Sequence, residues 1–118
     1  KINKIASKLK RNSMILDIGP RAIQNYSEII KKSKTIIWSG PMGYIEKKQF
    51  SHGTIAVAHA AAQMKNKAFT IAGGGETLIF ITDDDLLHEF DFVSTGGGAM
   101  LEFLSGKQLP GIEALKGD

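Results

Sequence analysis

Apolar residues in this chain gather in short unbroken runs, each closed by glycine, with helically spaced apolar residues between them. Met14-Ile15-Leu16-Asp17-Ile18, Thr35-Ile36-Ile37-Trp38, Ala68-Phe69-Thr70-Ile71-Ala72 and Phe92-Val93-Ser94 are continuous, not alternating. That pattern predicts strands covered on both faces. Between the first two runs, Ala22, Ile23, Tyr26, Ile29 and Ile30 recur with a helical period, opened by Pro20 and closed by Lys31 and Lys32. Proline suits a first helical turn, and lysines suit the negative end of the helix dipole. The next helix is expected from Phe50 onward, through Thr54, Val57, Ala61 and Met64. Its run of small residues from Ala56 to Ala62 suits close approach to a sheet. Asp83-Asp84-Asp85 breaks the chain before a short turn, Leu86 to Glu89. A helix is expected over Ala99 to Leu104 and a last turn over Ile112 to Leu115. Ile2 to Lys10 reads as a weak helix or linker. Strands alternating with helices four times predict an α/β fold, a parallel sheet of about four strands with helices on both faces.

In a parallel sheet every strand ends at the same edge, so the glycines that close the runs should share one rim. These are Gly19-Pro20, Ser39-Gly40-Pro41, Gly73-Gly74-Gly75 and Gly96-Gly97-Gly98. Open α/β sheets bind ligands at that rim. Both triple glycines are expected to open helices, whose free N–H groups and positive dipole ends suit an anion. Glu76 beside such a site is the odd member, because a carboxylate repels phosphate unless a divalent cation stands between them. Phosphate with Mg²⁺, hence a nucleotide, reconciles the two. Common nucleotide motifs are missing: there is no G-x-x-x-x-G-K-[ST], and Leu78 and Leu101 stand where a dinucleotide fingerprint needs its third glycine.

Composition narrows the class without changing this picture. The 118 residues are 42% hydrophobic and 23% charged, values of one ordinary globular unit. The formal charge of +3 owes much to Lys1, Lys4, Lys8, Lys10 and Arg11, an end effect and not the basic face of a nucleic-acid binder. No apolar run is long enough to span a membrane. With no cysteine there are no disulfides or thiolate-bound metals, which fits a reducing compartment. His52, His59 and His88 lack metal-ligand spacing, and the aspartate run lacks that of a calcium loop.

Three segments in order, Leu16-Asp17-Ile18-Gly19-Pro20, then Ile37-Trp38-Ser39-Gly40-Pro41-Met42-Gly43 with Glu46, then Ala72 to Thr77 with Ser94 to Ala99, resemble phosphoglycerate kinase. The tail from Leu101 to Gly111 is similar to that family's C-terminus. The resemblance implies that residues 1–118 are the C-terminal part of a nucleotide-binding domain, with 1–13 as linker or weak helix. It implies a glycolytic phosphotransferase, cytoplasmic and usually monomeric, moving a phosphoryl group between 1,3-bisphosphoglycerate and MgADP. By the same resemblance Glu46 holds the ribose hydroxyls, Gly40, Pro41 and Met42 border the adenosine, and Leu16 forms an adenine wall. Gly73, Gly74, Gly75, Glu76 and Thr77 take ADP or ATP phosphates, with Glu76 on Mg²⁺. Gly96, Gly97 and Gly98 donate to the phosphoryl group in flight. Three positions depart from the family pattern: Glu76 for a usual aspartate, Ser39 for asparagine and Ile15 for glycine. The family's 3-phosphoglycerate site and phosphate-binding lysines fall outside these 118 residues. The chain alone is therefore expected to be inactive. The alternatives are a nucleotide- or anion-binding module, or a fragment that self-associates or leans on a partner.

Overall fold

The computed structural model describes residues 12–117; the expected helix or linker at the N-terminus lies outside them. The described chain runs α1 (Pro20–Lys32), β1 (Thr35–Ser39), α2 (His52–Ala62), β2 (Phe69–Gly73), α3 (Gly75–Asp83), β3 (Phe92–Ser94), α4 (Gly97–Leu104) and α5 (Pro110–Leu115), with 3-10 turns at Lys48–Phe50 and Leu87–Glu89. The strands form a parallel sheet in the order β1-β2-β3, with Ile37 opposite Ile71 and Ile71 opposite Phe92.

One strand expected from the sequence does not form. Among the described residues Met14 to Ile18 pairs with no strand, and the one long-range backbone bond it makes there runs from the Tyr44 N–H to the Leu16 carbonyl at 2.8 Å. The chain bends at Asp17, whose carboxylate binds the N–H of Ile18 at 2.8 Å and of Gly53 at 3.0 Å. The Ile18 amide is thereby engaged by a side chain and not by a neighbouring strand. Gly19-Pro20 consequently opens α1 without closing a strand.

The core lies on the sheet face that carries Ile36, Trp38 and Ala72, against Val57, Ala58, Ala61 and Ala62 of α2 and Ile81 of α3. Trp38 is 4% exposed; its ring meets Phe80 edge-on at 6.2 Å and Phe90 at 6.0 Å. Helix α2 packs against α1 as well as against the sheet, so its small residues are buried on nearly every side. At the far end of the sheet, Thr70 and Asp91 are tied three ways. Asp91 Oδ2 accepts from Thr70 N–H at 2.8 Å and from its hydroxyl at 2.9 Å, and the Asp91 N–H donates to Thr70 Oγ1 at 3.0 Å.

The opposite sheet face carries Ile37, Phe69, Ile71 and Phe92. Helices α4 and α5 cover it only in part, leaving an apolar groove of about 340 Å³ bounded by Ile71, Phe92, Met100, Phe103 and Ile112. Ile71 is buried there, whereas Phe92 is 55% exposed and Ile37 is 46% exposed. The unbroken apolar strands thus meet the expected two-sided cover on one side and partial cover on the other.

Candidate functional site

Helices α3 and α4 begin just past the ends of β2 and β3, at the rim where the parallel strands finish, whereas α2 follows β1 only after the loop of residues 40–51. The first amides of a helix have no partner within it. How each helix treats them differs. In α2 the Gly53 N–H is taken by the Asp17 carboxylate, so that positive helix end is already neutralised by the protein's own anion. There is no room for more: a β-carbon on Gly53 would stand 2.5 Å from Asp17 Oδ1, and one on Gly43 would stand 2.6 Å from it.

Among the described residues no side chain caps the start of α3 or α4. The first turn of α3 closes from Leu78 N–H to the Gly74 carbonyl, and that of α4 from Met100 N–H to the Gly96 carbonyl. The amides of Gly75, Glu76 and Thr77, and those of Gly97, Gly98 and Ala99, are left as donors by helix geometry. The two ends touch. A β-carbon on Gly97, whose φ is +25°, would stand 3.0 Å from the Gly74 α-carbon. Gly74 has φ +104°, a conformation that disfavours any side chain. Two dipole ends of the same sign side by side repel, and an anion between them relieves that repulsion. Met100 supports the arrangement from α4, its thioether pressed against Gly73.

The loop after β1 is bound to the same place. Thr77, 1% exposed, accepts the Gly40 N–H on Oγ1 at 2.7 Å. The Gly40 carbonyl in turn accepts the Trp38 indole N–H at 2.8 Å. Because the Thr77 hydroxyl is committed inward, what Thr77 presents to the rim is its backbone amide. Further along the loop, the Met42 N–H donates to Thr54 Oγ1 at 3.0 Å. Pro41 is half-buried, and Met42 packs against the core. Leu16, half-buried, joins this loop through Tyr44.

The structure therefore brings Gly40, Gly73 to Thr77 and Gly96 to Gly98 to one rim, with Pro41, Met42 and Leu16 along the adjoining loop. Glu46 is exposed beyond Tyr44, and among the described residues no hydrogen bond or ion pair ties it to the glycine segments. Glu76 is exposed in the first turn of α3. No group of three or more His, Asp or Glu side chains placed to hold a metal occurs among the described residues. The donor set at Glu76 fits a hard cation held by one carboxylate, with its other ligands drawn from phosphate and water, the usual Mg²⁺ arrangement. His59 faces Asp84 at 3.4 Å, Trp38 is core and Tyr44 lies at the surface. Asp17, Thr54 and Met100 went unassigned in the sequence. Gly43 and Gly53, where only hydrogen fits beside Asp17, were the available signal for the first of these.

The family model described as phosphoglycerate kinase matches residues 1–107. A phosphoglycerate kinase of Legionella pneumophila (strain Lens) is 47% identical over 114 residues, 97% of this chain and 28% of that protein. One from Maridesulfovibrio salexigens is 47% identical over 105 residues, 89% of this chain and 26% of its own length. Among solved structures, phosphoglycerate kinase from Coxiella burnetii superposes with a TM-score of 0.83 at 41% identity, over 93% of this chain and 28% of that one. The Pyrococcus horikoshii OT3 enzyme gives 0.77 at 39% identity, over 89% and 25%. The chain thus spans little more than a quarter of the length of these relatives.

Proposed function

Since this chain belongs to the phosphoglycerate kinase family, we propose that its rim is the nucleotide-binding part of a kinase acting on MgADP and 1,3-bisphosphoglycerate. The observation that carries the reading is the contact of two uncapped helix ends at Gly74 and Gly97. Three amides at each of two adjoining helix starts match a polyphosphate better than a single phosphate.

In this reading Gly74, Gly75, Glu76 and Thr77 hold the nucleotide phosphates, the last through its amide. Gly40, Pro41 and Met42 border the adenosine, Leu16 walls the adenine, and Glu46 takes the ribose hydroxyls. Mg²⁺ arriving with the nucleotide would be held by Glu76 and would screen the phosphate charge. In the reaction the bond between the C1 carboxyl oxygen of 1,3-bisphosphoglycerate and phosphorus breaks. A bond between that phosphorus and a terminal oxygen of ADP forms, giving 3-phosphoglycerate and ATP. Amides of Gly97 and Gly98 would donate to the equatorial oxygens of the moving group, which is the positioning and charge stabilisation that phosphoryl transfer requires. Gly96, whose own N–H is engaged by Ser94 Oγ at 3.1 Å, shapes the turn that aims them. These 118 residues span little more than a quarter of the relatives' length, and by themselves they are expected to bind nucleotide without turnover. A cytoplasmic location accords with this activity.

Titration calorimetry of the chain with MgADP tests the site, with weaker binding expected for Glu46→Ala. Equal heats from both proteins would refute a family-like pocket. ATP formation from 1,3-bisphosphoglycerate above that of a Gly97→Ala control would refute inactivity of the chain alone.

A second reading, in which the chain leans on a partner or on a copy of itself, is favoured by the exposed Ile37, Phe69 and Phe92 on one sheet face. Monomeric sedimentation at all concentrations would remove self-association.

A further inference from the structure

The Thr77 hydroxyl stands at the junction of the two halves of the rim, and it faces protein, not solvent. Its side chain is among the largest fully buried ones. Its Oγ1 accepts the Gly40 N–H at 2.7 Å across 37 residues of sequence, and Gly40 is held from the other side by the Trp38 indole through its carbonyl. Gly40 has φ +92°, a conformation with few alternatives once both of its polar groups are engaged. The first residue of the loop after β1 is thus fixed relative to the start of α3 by one short hydrogen bond.

Resting on the nucleotide reading above, we infer that Thr77 is a positioning residue whose side chain binds no ligand. It sets the distance between the base-side loop, Gly40 to Met42, and the phosphate-side helix start, Gly74 to Thr77. The two halves of a nucleotide have a fixed separation, so an unlatched loop must be reordered each time a ligand binds. A side chain that merely touched phosphate would matter only to ligands that carry phosphate. A latch matters equally to a ligand that occupies the base side alone.

That difference supplies the test. Adenosine and MgADP are titrated into the full 118-residue chain and into Thr77→Val and Thr77→Ser. Amide hydrogen exchange at Gly40 is followed in the same proteins by NMR. Thr77→Val is expected to weaken both ligands by a similar factor, about fivefold for the loss of one hydrogen bond. Thr77→Ser, which keeps the oxygen, is expected to restore both. Gly40 exchange is expected to be slow in the wild type and in Thr77→Ser, and at least about tenfold faster in Thr77→Val. A wild-type Gly40 amide that exchanges as fast as an open loop overturns the latch, and this needs no variant to fold. MgADP weakened while adenosine is untouched makes Thr77 a phosphate ligand and overturns the proposal alone. Failure of the wild type to bind either ligand defeats the nucleotide reading and this role together, whereas Gly40 protection would still report the bond itself.

Discussion

Gly97 packs against Gly74 so closely that a β-carbon on the former would stand 3.0 Å from the α-carbon of the latter. Replacing Gly97 by alanine forces both a left-handed backbone and a backbone collision. The strain is expected to cost roughly 1–3 kcal/mol. Thermal unfolding of Gly97→Ala should show a midpoint several degrees lower, and calorimetry should show MgADP binding weakened at least tenfold. An unchanged midpoint with unchanged affinity would mean that the two helix ends do not need this spacing.

Asp17 closes the start of α2 from 36 residues away. Asp17→Ala leaves the amides of Ile18 and Gly53 without their partner, an expected loss of about 1–2 kcal/mol. Asp17→Asn retains one acceptor and should lose less. Urea unfolding midpoints read by far-ultraviolet dichroism order the three proteins; equal midpoints for wild type and alanine variant would contradict the cap.

The hydrogen bonds that Thr70 donates from its backbone and hydroxyl hold the Asp91 carboxyl below its usual 3.8, and Lys65 adds to the effect. A group depressed in this way favours the folded state above its unfolded pKa, and the benefit fades as pH falls through the lower folded value. The stability gap between wild type and Asp91→Asn is therefore expected to be full at neutral pH and to close below about pH 4. Chemical denaturation across pH 3 to 7 measures it, and a gap that widens toward acid would reverse the sign.

In the proposed reading Glu76 holds the metal while backbone amides hold the nucleotide, so the two can be separated by substitution. Glu76→Ala is expected to make ADP affinity independent of Mg²⁺, because the one carboxylate at the start of α3 is lost. Glu76→Asp should keep the metal dependence. Titrations with and without EDTA distinguish the cases; a persistent Mg²⁺ effect in the alanine variant would place the ion elsewhere.

Much of this molecule could be read from local pattern. Pro20, Lys31 and Lys32 bounded α1, and the glycines closed β1, β2 and β3, because periodicity and turn chemistry are properties of neighbouring residues. Met14 to Ile18 misled for the same reason: four apolar residues in five say what a strand would bury but not whether a neighbour exists to pair with. The continuous strands likewise expressed a demand for two-sided cover that Ile37 and Phe92 do not obtain. The Gly40–Thr77 and Gly53–Asp17 bonds join residues 37 and 36 positions apart. Such bonds carry no period, so neither the tie made by the Thr77 hydroxyl nor the cap supplied by an aspartate inside an apolar run was legible in local pattern.

The chain has a single tryptophan, buried beneath the rim, with its indole proton on the Gly40 carbonyl. Its emission is consequently a label supplied by the protein itself, sensitive to any shift of the loop that follows β1. A ligand at the proposed site is expected to change that emission on the unmodified chain, and fluorescence quenching by iodide would reveal when that loop lets solvent reach the ring.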